Sequence, residues 1–170
     1  MDTVFLAARG SQAQGFAPQL KFHLAGDLPV YTTSHIWQGQ LSKRQLADMR
    51  GIFVPDIPLL TTEGAREAVL GAIPDWQPTF VRLYALGMDA LAVLPHLARL
   101  RRDTAAVWDG QTGLLSMDKE HRLYRHLTWI QLDEPIRLIA PATPMLPMDD
   151  LAIPIQQEEL MEDEVLYAEP

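Results

Sequence analysis

Ser34 and His35 are the pair of neighbouring side chains best placed for chemistry. They directly follow the strand-like run "LPVYTTS", and in an open parallel sheet ligands collect beyond the carboxyl ends of the strands. Serine and histidine are residue types that can act as a nucleophile and its general base. Neighbours in sequence rarely point at each other, however, and no acid that would orient the histidine is marked. Catalysis, a polar contact facing a cleft, and hydrogen bonding to the loop backbone stay open as interpretations.

Two other groups have both a structural and a binding interpretation. Arg9, Gly10 and Ser11 lie where a strand gives way to a helix N-terminus, which suits an anion or plain capping by Ser11. Asp89 lies in an apolar helix, seven residues before His96. A buried carboxylate needs a partner, and Tyr84, Arg82 or the amides of a neighbouring strand are the candidates. Either structural use or ligand binding explains Asp89.

Metal and nucleic-acid sites are not predicted. His121 and His126 are five residues apart in a strand pairing, so their side chains point to opposite faces, and Asp118 and Glu120 do not repair that geometry. The basic and aromatic residues of 122–129 alternate between two mixed faces and form no basic stripe. The sequence marks no cofactor.

Charge is distributed unevenly along the 170 residues. From Leu138 to Pro170 eight residues are acidic and none is basic, whereas residues 1–137 hold 14 acidic and 14 basic residues. A neutral body with an acidic tail argues against nucleic-acid binding. The chain has no cysteine, which excludes disulfides, thiolate catalysis, cysteine zinc sites and a lipid-modified cysteine within it. The apolar run 85–100 is too short and too interrupted to span a bilayer.

The elements that would position these residues begin with β-α-β units. The run "TVFLAA" predicts a strand covered on both faces, followed by a helix that Ser11 caps and that ends at Gly26, and then by the strand of 28–34. Such a unit with short connections implies a parallel pair and a right-handed crossover. Ser42 is placed to cap the next short helix, and "GIFVPDIPLL" gives a third strand.

The second half predicts a long helix, a hairpin and a tail. The helix of 79–102 is apolar on most sides, so we expect it to be buried on several sides and bent at Pro95. The runs "TGLLSM" and "RLYRHLTWIQL" predict two strands of one hairpin, joined by "DKEH". Because that turn has no glycine, His121 is expected in a left-handed conformation. Beyond Asp133 we expect a proline-rich acidic tail without core elements, in which 156–167 form a short amphipathic helix.

Four stretches in this order resemble the LppC family, the penicillin-binding protein activators of Gram-negative outer membranes. They are "TVFLAARGSQAQGFAPQLKFHLAGDLPVYTTSH", "MRGIFVPDIPLL", "RLYALGMDALAVLPHLARL" and "GQTGLLSMDKEHRLYRHLTWIQL". The similarity covers about Asp2 to Leu132 and corresponds to the last part of the family's C-terminal domain. The chain is therefore expected to be a fragment that lacks the family's N-terminal domain and its lipid anchor.

The resemblance implies an α/β fold, namely a three-layer, parallel-sheet lobe of a type I periplasmic-binding-protein-like domain with a late β-hairpin. On that template residues 1–132 are the domain part: 1–60 and 112–132 belong to one lobe, 79–102 are a helix of the other, and 133–170 form the tail. Because neighbouring strands would be missing, we expect the open sheet edges to make the fragment associate with itself.

The resemblance also implies a non-enzymatic regulator that contacts a class A penicillin-binding protein and stimulates peptidoglycan synthesis. It would act in the periplasm, with outer-membrane anchoring in the full-length parent. The alternative hypothesis is a solute-binding module that closes two lobes on a small metabolite, with Ser34, His35 and Tyr84 as cleft-facing ligand-binding residues. An open pocket with convergent polar groups distinguishes the second hypothesis from the first.

Overall fold

The computed structural model describes residues 2–23, 26–37, 39–62, 64–71, 73 and 75–140. The predicted helix of 156–167 and the rest of the tail beyond Ala140 lie outside them. The strands are β1 (Val4–Leu6), β2 (Val30–Thr32), β3 (Phe53–Asp56), β4 (Val107–Gly110), β5 (Gly113–Met117), β6 (Leu123–His126), β7 (Thr128–Gln131) and β8 (Arg137–Ala140). The helices are α1 (Gly10–Phe22), α2 (Lys43–Asp48), α3 (Pro58–Thr61), α4 (Ala65–Leu70), α5 (Val81–Ala92) and α6 (Leu97–Arg102), with 3₁₀ turns at Ser34–Ile36, Pro78–Phe80 and Leu94–His96.

The larger sheet has five strands in the order β1-β2-β3-β7-β8. The first three strands are parallel, as the β-α-β pattern predicts, because α1 and α2 return the chain to the same end of the sheet each time. Strand β7 pairs antiparallel with β3, and β8 pairs antiparallel with β7. The sheet is therefore mixed. The expectation that no core element follows Asp133 is wrong for 137–140, which form its edge strand.

The predicted hairpin forms, but its second strand is two strands. Strands β5 and β6 pair antiparallel, and with β4 they make a separate three-stranded sheet. The chain then passes through Leu127, and β7 joins the larger sheet. Residues 112–132 are thus divided between two sheets, and within that range only 128–131 lie in the sheet that holds 4–56.

The long helix predicted for 79–102 is broken near Pro95. The segments Pro78–Ala92 and Leu94–Arg102 meet at a bend of 46°, as expected where a proline removes a backbone donor. Burial on several sides was a wrong expectation, because the buried residues of α5 are Val81, Ala85 and Asp89. The large apolar side chains on the other faces of the two segments are exposed: Phe80, Leu83, Leu86, Leu91 and Leu94.

Two hydrophobic cores correspond to the two sheets. The larger one packs α1, α5 and the covered face of the five-stranded sheet, with Ala13, Ala17, Val54, Val81 and Ile130 among its members. The smaller one lies between α6 and the three-stranded sheet and consists of Val93, Leu100, Ala106, Leu115 and Met117, with Leu97 and Trp108 against it. Helix α5 contributes Val81 and Ala85 to the larger core, and Val93, directly after α5, belongs to the smaller one.

One face of the larger sheet is covered and the other carries aromatic side chains. Val30, Thr32, Val54 and Ile130 point into the core. The alternate residues Phe5, Tyr31, Phe53 and Trp129 form what we call the outer sheet face: Tyr31 stacks on Phe53 with ring centroids 5.0 Å apart and meets Trp129 edge-on at 5.8 Å. Phe5 is 68% exposed. The prediction that the first strand is covered on both faces is therefore wrong at Phe5.

Local predictions hold where short-range hydrogen bonds decide the conformation. Ser42 caps α2 in a reciprocal capping box with Gln45. Ser11 is different: α1 begins at Gly10, so Ser11 lies inside the helix, and α1 ends at Phe22, four residues before the predicted stop at Gly26. Within the described residues no single helix has the length and apolar character to cross a membrane, although the bent pair 78–92 and 94–102 meets both conditions jointly.

Candidate functional site

Polar residues from three parts of the chain meet at the carboxyl ends of β2 and β3. The 3₁₀ turn Ser34–Ile36 follows β2, and Asp56 is the last residue of β3. Arg82, in the first turn of α5, reaches both strand ends. Since ligands of open α/β sheets bind at this edge, it is the first place to look for a site.

The carboxylate of Asp56 is buried, and both of its oxygens accept hydrogen bonds from protein donors. Its Oδ2 accepts the indole Nε1–H of Trp37 at 2.6 Å, and its Oδ1 accepts the backbone N–H of Ile57 at 2.8 Å. The guanidinium of Arg82 donates through Nε to Oδ1 at 3.0 Å and pairs with Oδ2 through a second nitrogen. A buried carboxylate is stable only with such partners. Trp37, Asp56 and Arg82 together are called the Asp56 cluster below.

Arg82 also fixes the loop after β2. The same terminal nitrogen donates to the carbonyl oxygens of Ser34 at 3.0 Å and of Trp37 at 3.1 Å. The planar guanidinium therefore ties the start of α5 to two strand ends at once. The sequence pointed to Arg82 only as a partner for Asp89 and gave no signal for Asp56, which is 26 residues away in the chain.

The predicted cleft residues have separate surroundings. Ser34 contributes its carbonyl to Arg82, while the exposed ring of His35 lies with Nδ1 3.3 Å from Oγ1 of Thr33. The hydroxyl of Tyr84 accepts the backbone N–H of Gln77 at 3.4 Å. In the described part of the chain no hydrogen bond joins Ser34 to His35 or either of them to Tyr84. A contact of these three residues with a ligand remains a prediction.

Asp89 holds the other end of α5 onto the smaller sheet. Its Oδ1 accepts the N–H of Gln111 at 2.8 Å, and its Oδ2 accepts the N–H of Thr112 at 2.7 Å and the Thr112 hydroxyl at 2.6 Å. Of the partners considered from the sequence, backbone amides are therefore correct, although they belong to the turn between β4 and β5. His96 stacks on Trp108 at 5.7 Å and is not part of this network.

The start of α1 satisfies its own backbone. The N–H of Arg9 donates to the side-chain oxygen of Gln12 at 2.9 Å, and the carbonyl of Arg9 accepts the N–H groups of Gln12 and Ala13. A Cβ on Gly10 would lie 2.6 Å from the carbonyl oxygen of Ile36, so glycine allows the close approach of these two segments. These contacts give Arg9 and Gly10 structural roles at the start of α1.

The histidines and acids of the β5–β6 hairpin have individual roles. His126 Nε2 lies 2.8 Å from the Ser116 hydroxyl, and burial lowers the pKa of His126. Asp118 is partly desolvated, which opposes ionisation, but the hydrogen bonds from the amide and guanidinium of Arg122 outweigh this and lower the pKa of Asp118 to about 2. Among the described residues no group of three or more histidines and acids is arranged to hold a metal ion.

The arrangement fixes the geometry of the molecule, and within the part of the chain that the structure describes no reaction centre is assembled at the strand ends. Two buried carboxylates, Asp56 and Asp89, hold α5 between a mixed five-stranded sheet and a small antiparallel sheet. This α/β architecture is that of a periplasmic-binding-protein-like domain. One similar solved structure is described as "a putative branched-chain amino acid ABC transporter" from Chromobacterium violaceum, with a TM-score of 0.53, 29% identity, and coverage of 75% of this chain and 41% of that one.

The chain belongs to the LppC family: residues 1–134 match the family described as "LppC putative lipoprotein". A relative from Pectobacterium parmentieri, named penicillin-binding protein activator LpoA, is 29% identical over 136 residues, which are 77% of this chain and 20% of that protein. The LpoA C-domain from Haemophilus influenzae, described as a regulator of PBP1A, shares the fold with a TM-score of 0.68 at 21% identity, covering 82% of this chain and 45% of that one. This chain thus spans about a fifth of the length of the curated relative.

Proposed function

We propose that this chain is a non-enzymatic part of an activator that contacts a class A penicillin-binding protein and stimulates peptidoglycan synthesis. The observation that carries the proposal is the family match over residues 1–134, together with relatives that are named penicillin-binding protein activators. The activator would work by allostery: a protein contact would favour the active state of the synthase. Its place would be the periplasm, with an outer-membrane anchor supplied by a longer parent protein.

The strand ends favour this function over the solute-binding alternative. A solute-binding cleft needs polar groups that converge on the ligand with free hydrogen-bonding capacity. In the Asp56 cluster the carboxylate is occupied by Trp37, Ile57 and Arg82, and Arg82 also binds two carbonyls. These groups support a rigid scaffold that presents a surface. The predicted division into lobes, with 1–60 and 112–132 in one and 79–102 in the other, is not part of this proposal, because β5 and β6 pair in the smaller sheet and α5 packs into the larger core.

The contact with the synthase would use exposed apolar side chains of the β5–β6 hairpin. Leu123 and Tyr124 lie on β6 with close to half of their surface exposed, and because neighbours in a strand point to opposite faces, the hairpin presents one of them on each side. Exposed apolar side chains beside charged ones are typical of transient protein interfaces. Arg122 lies over the Tyr124 ring at 5.9 Å, which holds that ring in place at the surface.

A direct test uses the purified full chain and a purified class A synthase. Pull-down measures binding, and glycan polymerisation measures stimulation. We expect both, and we expect Leu123→Lys to weaken both. The control is Leu91→Lys, a matched substitution of an exposed leucine on α5 that should leave both unchanged. Absence of both binding and stimulation for the natural chain would refute the proposed function for this chain.

A further inference from the structure

A cavity of about 320 Å³, open to solvent on one side, lies between the end of α6 and the turn that joins β5 to β6. It is lined by Ala98, Arg101, Arg102 and His121. Two guanidiniums, an imidazole and a methyl group therefore surround it, and no acid of the described residues lines it. Its volume is at the lower end of the range that small-molecule sites occupy. The proposed function makes no use of this cavity.

Helix geometry places three of the lining residues on one side of α6. Arg101 and Arg102 follow Ala98 by three and four positions, and residues at these spacings are neighbours on a helix surface. Ala98 has the smallest side chain of the set, so it leaves the space that the two arginines border. His121 closes the cavity from the turn, where its φ of 62° lies in the left-handed region.

Both arginines of the cavity are without a hydrogen bond or an ion pair in the described part of the chain. Arg99, elsewhere on α6, is by contrast used: a terminal nitrogen of its guanidinium donates to the carbonyl of Val107 at 3.1 Å. The acids of the neighbouring turn are engaged as well, because Asp118 and Glu120 both pair with Arg122. The two guanidiniums of the cavity therefore keep their donors and their charge available for a ligand.

We propose that this cavity binds a phosphate or diphosphate group through Arg101, Arg102 and His121. A guanidinium presents a planar fork of N–H donors that matches two oxygens of a phosphate, and two guanidiniums offset two of its negative charges. A neutral imidazole adds one further N–H donor. Soluble phosphate esters and lipid headgroups carry the same oxyanion, and the open side of the cavity admits either.

The charge of the whole chain makes such binding a property of the site. The chain has a formal net charge of −8, so its overall field repels polyanions. The dipole of α6 favours cations at its C-terminal end. That effect explains why arginines occur there, but it does not place two of them around one cavity with a histidine from another element. Saturable binding of a polyanion would therefore require the local arrangement.

The test measures binding of inorganic diphosphate to the full chain by isothermal titration calorimetry, at neutral pH and constant ionic strength. We expect saturable binding of one diphosphate per chain. Arg101→Gln and Arg102→Gln should each weaken it about tenfold, because each removes charge-assisted hydrogen bonds. Arg44→Gln is the matched control: it removes the same charge from an exposed arginine of α2 and should change the affinity by less than about twofold.

Two further variants distinguish a cavity from a charged surface. Ala98→Leu keeps every charge and fills the cavity, so it should weaken binding at least as much as the loss of one arginine. His121→Gly removes the imidazole at a position where glycine is unstrained, so weaker binding in this variant would not result from unfolding. Circular dichroism confirms that each variant is folded.

Vesicles separate the two sources of the phosphate. The chain is sedimented with vesicles of phosphatidylcholine, with and without phosphatidic acid. Capture that needs phosphatidic acid and is lost in Arg101→Gln would support the site with a lipid phosphate, and diphosphate binding without capture would support it with a soluble one. Absence of saturable diphosphate binding would overturn the proposal. An equal loss in Arg44→Gln, or unchanged affinity in Ala98→Leu, would also overturn it, since attraction to a charged surface would then explain the binding.

Discussion

The guanidinium of Arg82 donates from Nε to Oδ1 of Asp56 at 3.0 Å, across 26 residues of sequence. The carboxylate is buried, and Arg82 retains a third of its side-chain surface in solvent. Breaking a pair of this kind is costly mainly because the acid is desolvated: without the cation, its buried charge would have no compensating partner. This contact therefore determines where α5 begins relative to the larger sheet.

Replacing Arg82 with methionine should destabilise the fold strongly. Arg82→Met keeps most of the aliphatic volume but leaves Asp56 with only the N–H donors of Trp37 and Ile57. We expect a loss of about 2–4 kcal/mol in the free energy of unfolding, measured by urea denaturation. Arg122→Met breaks an exposed pair with Asp118 and should cost far less than Arg82→Met. Equal costs for the two variants would show that the Asp56 cluster does not anchor α5.

Gly110 should be intolerant of a side chain because Asp89 fills the space. A Cβ there would lie 2.6 Å from Oδ2 of Asp89 and 2.7 Å from the Trp108 ring. Gly110→Ala should therefore cost about 1–3 kcal/mol. Asp89→Ala should cost about 3 kcal/mol, since three donors lose their acceptor.

The two changes at this site should be coupled. Gly110→Ala should cost about 1 kcal/mol less when Asp89 is already alanine, although the Trp108 clash remains. Gly87→Ala is the control, because no atom other than those of the adjoining helix backbone lies within 4 Å of the added Cβ, and its better helix propensity should stabilise α5 by about 0.5–1 kcal/mol. Additive costs in the double variant would place the strain at Trp108 alone.

The free edge of β1 should make the chain associate with itself. The N–H of Val4 donates to Pro29 on the β2 side, so the N–H of Phe5 points to the open edge. Unpaired edge strands recruit further strands. Sedimentation velocity of the full chain should show a concentration-dependent increase in mass, and Phe5→Pro should reduce it by removing that donor. A monomer at all concentrations would contradict the prediction. Tyr31→Pro is not a suitable control, because Tyr31 lies on an inner strand of the sheet and its replacement would disrupt the fold.

Features set by neighbours in sequence were the ones that sequence could predict. The capping box of Ser42 depends on Gln45, three residues later, and the bend at Pro95 follows from the missing N–H of proline. The left-handed conformation of His121, with φ of 62°, follows from a tight turn without glycine. These local patterns alone indicate the α/β class, and the family resemblance specified which α/β fold it is.

Features set by distant contacts were missed. Residues 122–132 alternate as one strand would, and the alternation gives no sign that the chain changes sheets at Leu127, because both of its faces are mixed. Strand β8 is short and largely exposed, so it lacks the apolar pattern that marks a core strand. The Asp56 cluster joins three elements, and no local spacing indicates that Arg82 and Asp56 meet.

His121 should be replaceable by glycine with a gain in stability. Its φ of 62° lies in the left-handed region, which costs a non-glycine residue about 1–2 kcal/mol. Part of that gain is lost to the greater entropy of glycine in the unfolded chain, so we expect His121→Gly to raise the free energy of unfolding by about 0.5–1 kcal/mol. Lys119→Gly in the same turn should lower it. A loss of stability in His121→Gly would mean that the imidazole makes a contact that outweighs the strain.

The Asp118 carboxylate should make the hairpin sensitive to acid in a defined range. Its pKa is lowered in the folded chain from 3.8 to about 2, because the hydrogen bonds from Arg122 and Tyr124 outweigh partial desolvation. A carboxyl group with a lowered pKa contributes stability above its unfolded value, and this contribution is lost as the pH falls towards the folded value. The difference in unfolding free energy between the natural chain and Asp118→Asn should therefore be constant above about pH 5 and should shrink between about pH 4 and pH 2. Carrying the comparison into an Arg122→Gln background should move the loss to higher pH, since one donor to the carboxylate is gone. A difference that stays constant down to pH 2 would contradict the assignment of this pKa to Asp118.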